Sequence, residues 1–177
     1  MLNLKLLDII KQNCKPLNPY FIYAVAMVES AGKAFAVNGY PIVRFEKHVM
    51  LKYLKNNKEL SDKVKKISSA DYNAYTKACN VDTNLAMLST SFGMFQIMGF
   101  NHKNAGYNTV DDFVKGMKES VDNQIEAFVH FVTKEGLVSF INNKEFAKFA
   151  YRYNGPNYKV NSYDLKLKKY FDEICGK

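Results

Sequence analysis

Nine consecutive apolar residues, Tyr20-Phe-Ile-Tyr-Ala-Val-Ala-Met-Val28, stand between Asn18-Pro19 and Glu29-Ser30, and no other feature restricts the fold of this chain as much. Asparagine before proline starts a helix: its side chain accepts from the unpaired N–H groups of the first turn, and the fixed φ of proline suits the first helical position. The resulting helix, running to Glu29 or Ser30, is apolar on every face. Such a helix belongs at the centre of a helical assembly rather than on its surface. It is far short of the ~20 residues that span a bilayer, so no transmembrane segment is expected. The N-terminal stretch MLNLKLLDIIKQNCK has no uninterrupted apolar core or small-residue cleavage site and fits an amphipathic helix, so no signal peptide is expected either.

A length of 177 residues suits one domain of ~100–200 residues, taken here as 1–177. Helix signals continue through residues 47–55, about 111–117 behind a Thr109/Asp112 capping pair, 120–133, and a segment opened by Asn143 and stopped by Asn154-Gly155-Pro156. Ser162 is read as the cap of a last helix. Between them, Phe35–Phe45 holds two β-prone runs around Asn38-Gly39, a strong hairpin signal, with Pro41 confining its strand to an edge. Residues 56–82 are polar and lysine-rich and read as a surface excursion. Leu85–Met98 reads as an apolar helix interrupted at Gly93. The fold class expected is α+β, mainly α, with one small β-hairpin at about 35–45 beside a helical lobe.

The formal net charge is +8, placed as +6 over residues 1–58, −2 over 59–141 and +4 over 142–177. If the two ends meet, they form a basic face suited to an anionic partner. Nucleic acid is not expected: among 25 basic residues only Arg44 and Arg152 are arginine, and no helix carries a basic stripe interleaved with exposed aromatics. Cys14, Cys79 and Cys175 are odd in number and lack C-x-x-C spacing, which reads as free thiols. His48, His102 and His130 show no metal-ligand spacing, so neither metal nor cofactor is expected.

Glu29 is the chemically informative residue. A carboxyl at the end of a buried helix is costly to ionise, so its pKa should rise, and a carboxyl still protonated near neutral pH is what a general acid requires. The structural alternatives are a side chain reaching solvent or an i,i+4 pair with Lys33. Glu46, in Arg44-Phe45-Glu46-Lys47-His48, is a candidate second carboxylate for activating water; an ion pair with Arg44 or Lys47 is the alternative. Gln96 offers an amide that can both donate and accept, and Gly93 permits close backbone approach; the structural alternative is a helix-packing notch with the amide satisfied internally. With no Trp in the chain, any ring stacking on a ligand must fall to Tyr or Phe.

The motifs Glu29-Ser30, Gly93-Met-Phe-Gln96-Ile97 and Tyr153-Asn154-Gly155-Pro156 occur in this order. They resemble the lysozyme-like superfamily of goose-type lysozymes and soluble lytic transglycosylases. The wider strings VES, RFEKH, SFGMFQIMGFNH and YRYNGP resemble the phage N-acetylmuramidase endolysin family, over about residues 18–170. The resemblance implies a muramidase cutting the β-1,4 bond between N-acetylmuramic acid and N-acetylglucosamine, with Glu29 as the acid. It also implies that Ser30, Gly93, Gln96, Ile97, Tyr153 and Asn154 bind substrate. Such a protein would be made in the bacterial cytoplasm and released to the wall by a holin-type route; a monomer is assumed, since nothing in the sequence sets the oligomeric state. It would act on peptidoglycan, with electrostatic contact to anionic envelope surfaces. Two alternatives share the fold: a lytic transglycosylase, in which the muramic acid's own 6-hydroxyl replaces water, and a non-catalytic wall-binding module.

Overall fold

Asn18 caps the apolar helix as its sequence demands, its Oδ1 accepting from the N–H groups of Tyr20 and Phe21. This helix, α2 (Pro19–Ser30), stops where Ala31 turns left-handed at φ 54°, and Phe21 to Ala26 are wholly buried. The computed structural model describes residues 3–176. In it α2 is wrapped by α1 (Leu4–Asn13) and above all by α11 (Tyr163–Cys175), which in turn packs on α10 (Phe146–Asn154). Phe21 stacks on Phe146 with centroids 5.1 Å apart and meets Phe149 edge-on at 5.0 Å. The N-terminal and C-terminal helices therefore share one neighbour, which brings the two basic ends of the chain to the same body.

The remaining elements surround a three-stranded antiparallel sheet of order β1 (Val43–Phe45), β2 (Thr90–Phe92) and β3 (Ile97–Met98). They comprise α3 (Lys47–Tyr53), α4 (Lys58–Lys65), α5 (Tyr72–Cys79), α6 (Thr83–Leu88), α7 (Val110–Glu119), α8 (Val121–Lys134) and α9 (Val138–Asn142). The mainly helical α+β class is as the sequence reads, and Thr109 caps α7 by accepting from Asp112 N–H. The supposed surface excursion is more than that: α4 and α5 bury Val64, Ala74, Tyr75 and Ala78.

Three expectations need correction. The hairpin at 35–45 is reduced to a tight turn and a single Phe35–Pro41 bridge. Proline has no N–H to extend a ladder, and Val37 is fully exposed with nothing to pack on. The second run instead pairs with β2, Val43 opposite Phe92 and Phe45 opposite Thr90. The segment around Gly93 is not helical. Gly93 at φ 75° and Gln96 at φ 50° are left-handed, which no α-helix permits, so residues 93–96 form the turn of a β2–β3 hairpin. Asn143 ends α9 rather than opening α10, because Lys144 at φ 58° breaks the path between them. Ser162 does occupy the start of α11, but its side chain makes no capping bond.

That second hairpin is seated by one buried side chain. Gln124 of α8 is 1% exposed; its Oε1 accepts from Met94 N–H at 2.7 Å, and its Nε2 donates to Met117 O at 2.9 Å and Ala34 O at 3.4 Å. Gly93 leaves it room, since a Cβ there would stand 2.7 Å from Gln124 Oε1. Replacing Gln124 by Leu orphans the buried Met94 N–H and Met117 O, while Ala34 O keeps its bond from Ile42 N–H. Each unsatisfied group costs about 1–3 kcal/mol, so urea unfolding of Gln124→Leu should show a loss of at least about 2 kcal/mol; a loss below about 0.5 kcal/mol would mean the hairpin is seated by something else.

Candidate active site

The last turn of α2 carries Glu29 out of the apolar core to an open cleft of about 310 Å3. Each element nearby contributes part of the lining: Arg44, Ser91 and Met98 from the three strands, Glu46 from the exit of β1, Gln96 from the hairpin turn, Tyr153 and Asn154 from the end of α10, and Asn161 from the 3-10 turn before α11. Glu29 is half-buried. The hydroxyl of Tyr163, a residue 3% exposed, donates to Glu29 Oε1. Burial pushes the Glu29 carboxyl up to about 7, against the opposing effects of the Tyr163 hydrogen bond and the Arg44 charge.

Tyr153 stands behind the acid. Its ring stacks on Phe149 at 5.0 Å and on Tyr163 at 6.5 Å, and its hydroxyl donates to Phe95 O at 2.6 Å. Burial first, and the Glu29 charge second, hold the phenols of Tyr153 and Tyr163 well above the ordinary tyrosine range. Both remain neutral donors. Across the cleft, Glu46 is half-buried and accepts from Arg44 Nε at 3.0 Å, with His48 Nδ1 at 3.4 Å from its other oxygen. Of the two cationic neighbours foreseen for it, Lys47 turns away and donates to Ile67 O at 2.8 Å.

The other residues singled out in the sequence divide into two groups. Gln96, Tyr153 and Asn154 border the cleft. The Gln96 amide is largely spent on the hairpin: Nε2 donates to Gly93 O at 2.8 Å and Ile42 O at 3.2 Å, and Oε1 accepts from Ser91 Oγ at 2.8 Å. Ser30, Gly93 and Ile97 lie behind the lining. Ser30 Oγ donates to Met94 O at 2.9 Å, Gly93 abuts Gln124, and Ile97 is 3% exposed. Arg152 borders a separate groove with Phe140 and Tyr151.

Sequence reasoning missed Tyr163, Ser91, Met98 and Asn161. Periodicity does place Tyr163 inward with Leu167, Phe171 and Ile174. Nothing linear connects it with a carboxylate 134 residues earlier.

An acid-bearing helix inside a mainly helical body, with a small antiparallel sheet walling a polar cleft, is the arrangement of lysozyme-like glycosidases. Residues 18–174 match the N-acetylmuramidase family, and the chain belongs to that family, whose members are glycoside hydrolases acting on peptidoglycan. The structure is similar to the crystal structure of the Burkholderia AP3 phage endolysin, with a TM-score of 0.80 and 33% identity over 99% of this chain and 72% of that one. No curated protein matches.

The raised Glu29 pKa has a consequence for stability. Between the ordinary value of 4.5 and about 7 the folded state binds more protons than the unfolded one, so this contribution is fully present below pH 4.5 and is lost as pH rises through 7. The amide of Glu29→Gln never ionises. The variant should match the wild type at pH 4 and be more stable at pH 8, by roughly 1–3 kcal/mol once hydration from the open cleft is allowed for. Denaturant midpoints at the two pH values check this; an equal offset at both would place the carboxyl in water.

Proposed function

We propose that this protein is a phage or prophage endolysin that hydrolyses the β-1,4 bond between N-acetylmuramic acid and N-acetylglucosamine, with Glu29 as general acid. One observation carries the assignment: a carboxyl at the floor of an open polar cleft whose pKa is raised to about 7. A protonated carboxyl near neutral pH is the species that can hand a proton to a leaving oxygen.

In this reading Glu29 protonates the glycosidic oxygen as its bond to the anomeric carbon breaks. A water then bonds to the oxocarbenium-like carbon and gives up its proton, and Glu29 is reprotonated from solvent. Glu46, held by Arg44 on the strand side of the cleft, is the carboxylate that takes the proton of the attacking water. Gln96, Tyr153 and Asn154 face the glycan. Ser30, Gly93 and Ile97 act behind them by setting the shape of the wall. The chemistry needs side chains and water alone, and the protein acts as a monomer in one domain spanning 1–177. It reaches peptidoglycan after holin-type release from the host cytoplasm.

The basic ends hold it on an anionic wall. Lys168 and Lys169 already pair along α11 with Asp172 and Glu173, but exposed pairs of this kind are weak and screened by salt, so these lysines still contribute to the field.

Five measurements test this reading. Glu29→Gln should lower lysis of outer-membrane-permeabilised cells at least ~10²-fold, within the range general acids contribute, while leaving the fold intact; retention of a tenth of the activity removes Glu29 as the acid. Since the protonated form acts, activity should fall about tenfold per pH unit above 7. Glu46→Gln should show a smaller defect, and its having none would leave Glu46 with the Arg44 ion pair alone. Mass spectrometry of digested peptidoglycan should show reducing ends, whereas 1,6-anhydro ends would mean that the muramic acid hydroxyl, not water, attacks. Neutralising Lys166, Lys168 and Lys169 together should weaken adsorption to sacculi and reduce its salt dependence, with turnover of short soluble oligosaccharides unchanged.

A further inference from the structure

α11 packs on α2, and its other buried residues, Leu167, Phe171 and Ile174, are apolar. A phenylalanine at position 163 would serve that packing. Instead a phenol is buried there, and a buried hydroxyl without a partner is costly. Among the described residues the acceptor within reach of Tyr163 Oη is Glu29 Oε1.

We infer that Tyr163 is a positioning residue for the acid: its hydroxyl, donated to Oε1 of Glu29, assigns the transferable proton to Oε2 and stabilises the carboxylate left when that proton departs. The inference rests on the reading of Glu29 as the general acid. The assignment of roles follows from counting protons. If protonated Oε1 donated to Tyr163 instead, the phenolic proton would have no acceptor inside the core. With Tyr163 donating, both protons are placed and Oε2 alone carries the acid.

The groups around the carboxyl support this division. Tyr153, from α10, stacks on the Tyr163 ring, but its hydroxyl is committed to Phe95 O, so it does not compete for Oε1. Arg44 and Glu46 face the acid from the strand side with opposite charges and pair with each other. Tyr163 is thus the neutral donor that meets Glu29 directly. Because it contributes nothing to the cleft lining, it acts through Glu29 and not on substrate.

Donation to the ionised form lowers a carboxyl pKa; Tyr163 limits a rise that burial alone would carry further. The test is Tyr163→Phe, with the Glu29 side-chain carboxyl followed by 13C NMR as pH is varied. The midpoint should move upward by about one pH unit. The alkaline limb of the rate profile should follow it, with plateau kcat down by roughly tenfold because the acid is weaker and KM unchanged. A midpoint that does not rise overturns the inference, whatever happens to stability. Should the variant not fold, biosynthetic replacement of tyrosine by 3-fluorotyrosine makes the phenol a stronger donor, and the Glu29 midpoint should then fall; an unmoved midpoint overturns the proposal equally. The NMR titration is independent of turnover, so loss of the acid assignment through an active Glu29→Gln variant remains distinguishable from failure of the Tyr163 role.

Discussion

The desolvation of one helix end governs the rest of the molecule. A helix apolar on all faces has to be covered on all faces, and α1 and α11 cover α2 along its length. The covering stops one turn before Ala31, so Glu29 is the first ionisable side chain that α2 meets on leaving the core. Its carboxyl is neither solvated enough to behave as an ordinary glutamate nor enclosed enough to be inaccessible. The same packing that stabilises the fold thus prepares the acid, and the electrostatic cost of doing so falls on folding at alkaline pH.

The sheet is too small to stand alone: β1 and β2 have three residues each and β3 two. What fixes it is a set of polar ties from helices to the turn at 93–96. Gln124 from α8 takes the Met94 N–H, Ser30 from α2 reaches Met94 O, and Tyr153 from α10 reaches Phe95 O. Inside the turn the Gln96 amide closes on Gly93 O and Ile42 O. Ser30, Gln96 and Tyr153, which motif reading assigns to sugar binding, therefore hold the wall in place and determine its shape.

Much of this was legible in the sequence where local chemistry decides. Asn18-Pro19 and the apolar run specify α2, Thr109 specifies α7, and the position of Glu29 at the end of a buried helix announces a perturbed acid. The errors lie where pairing is between distant segments. The Asn38-Gly39 signal is real as a turn, but Pro41 and a bare Val37 give its hairpin no ladder, and strand β1 finds its partner near residue 90. Leu85–Met98 has helical apolarity, yet left-handed Gly93 and Gln96 fold its second half back on itself. Tyr163 shows the same limit at the site: periodicity says that it faces inward, and only the closure of α11 on α2 says what it meets.

The ties to the hairpin turn also decide which distances in the cleft can vary. The acid and the turn are joined through Ser30 on the same helix that carries Glu29, and through Tyr153, whose ring stacks on the tyrosine that holds Glu29. Motion of the helical body carries floor and wall together. Arg44 and Glu46 are held differently, by an ion pair in which the Arg44 side chain is 68% exposed, a contact that water and salt compete for. The compliant part of the cleft is therefore the Arg44–Glu46 pair, whose side chains can rearrange while the Glu29 carboxyl stays where α2 and Tyr163 hold it.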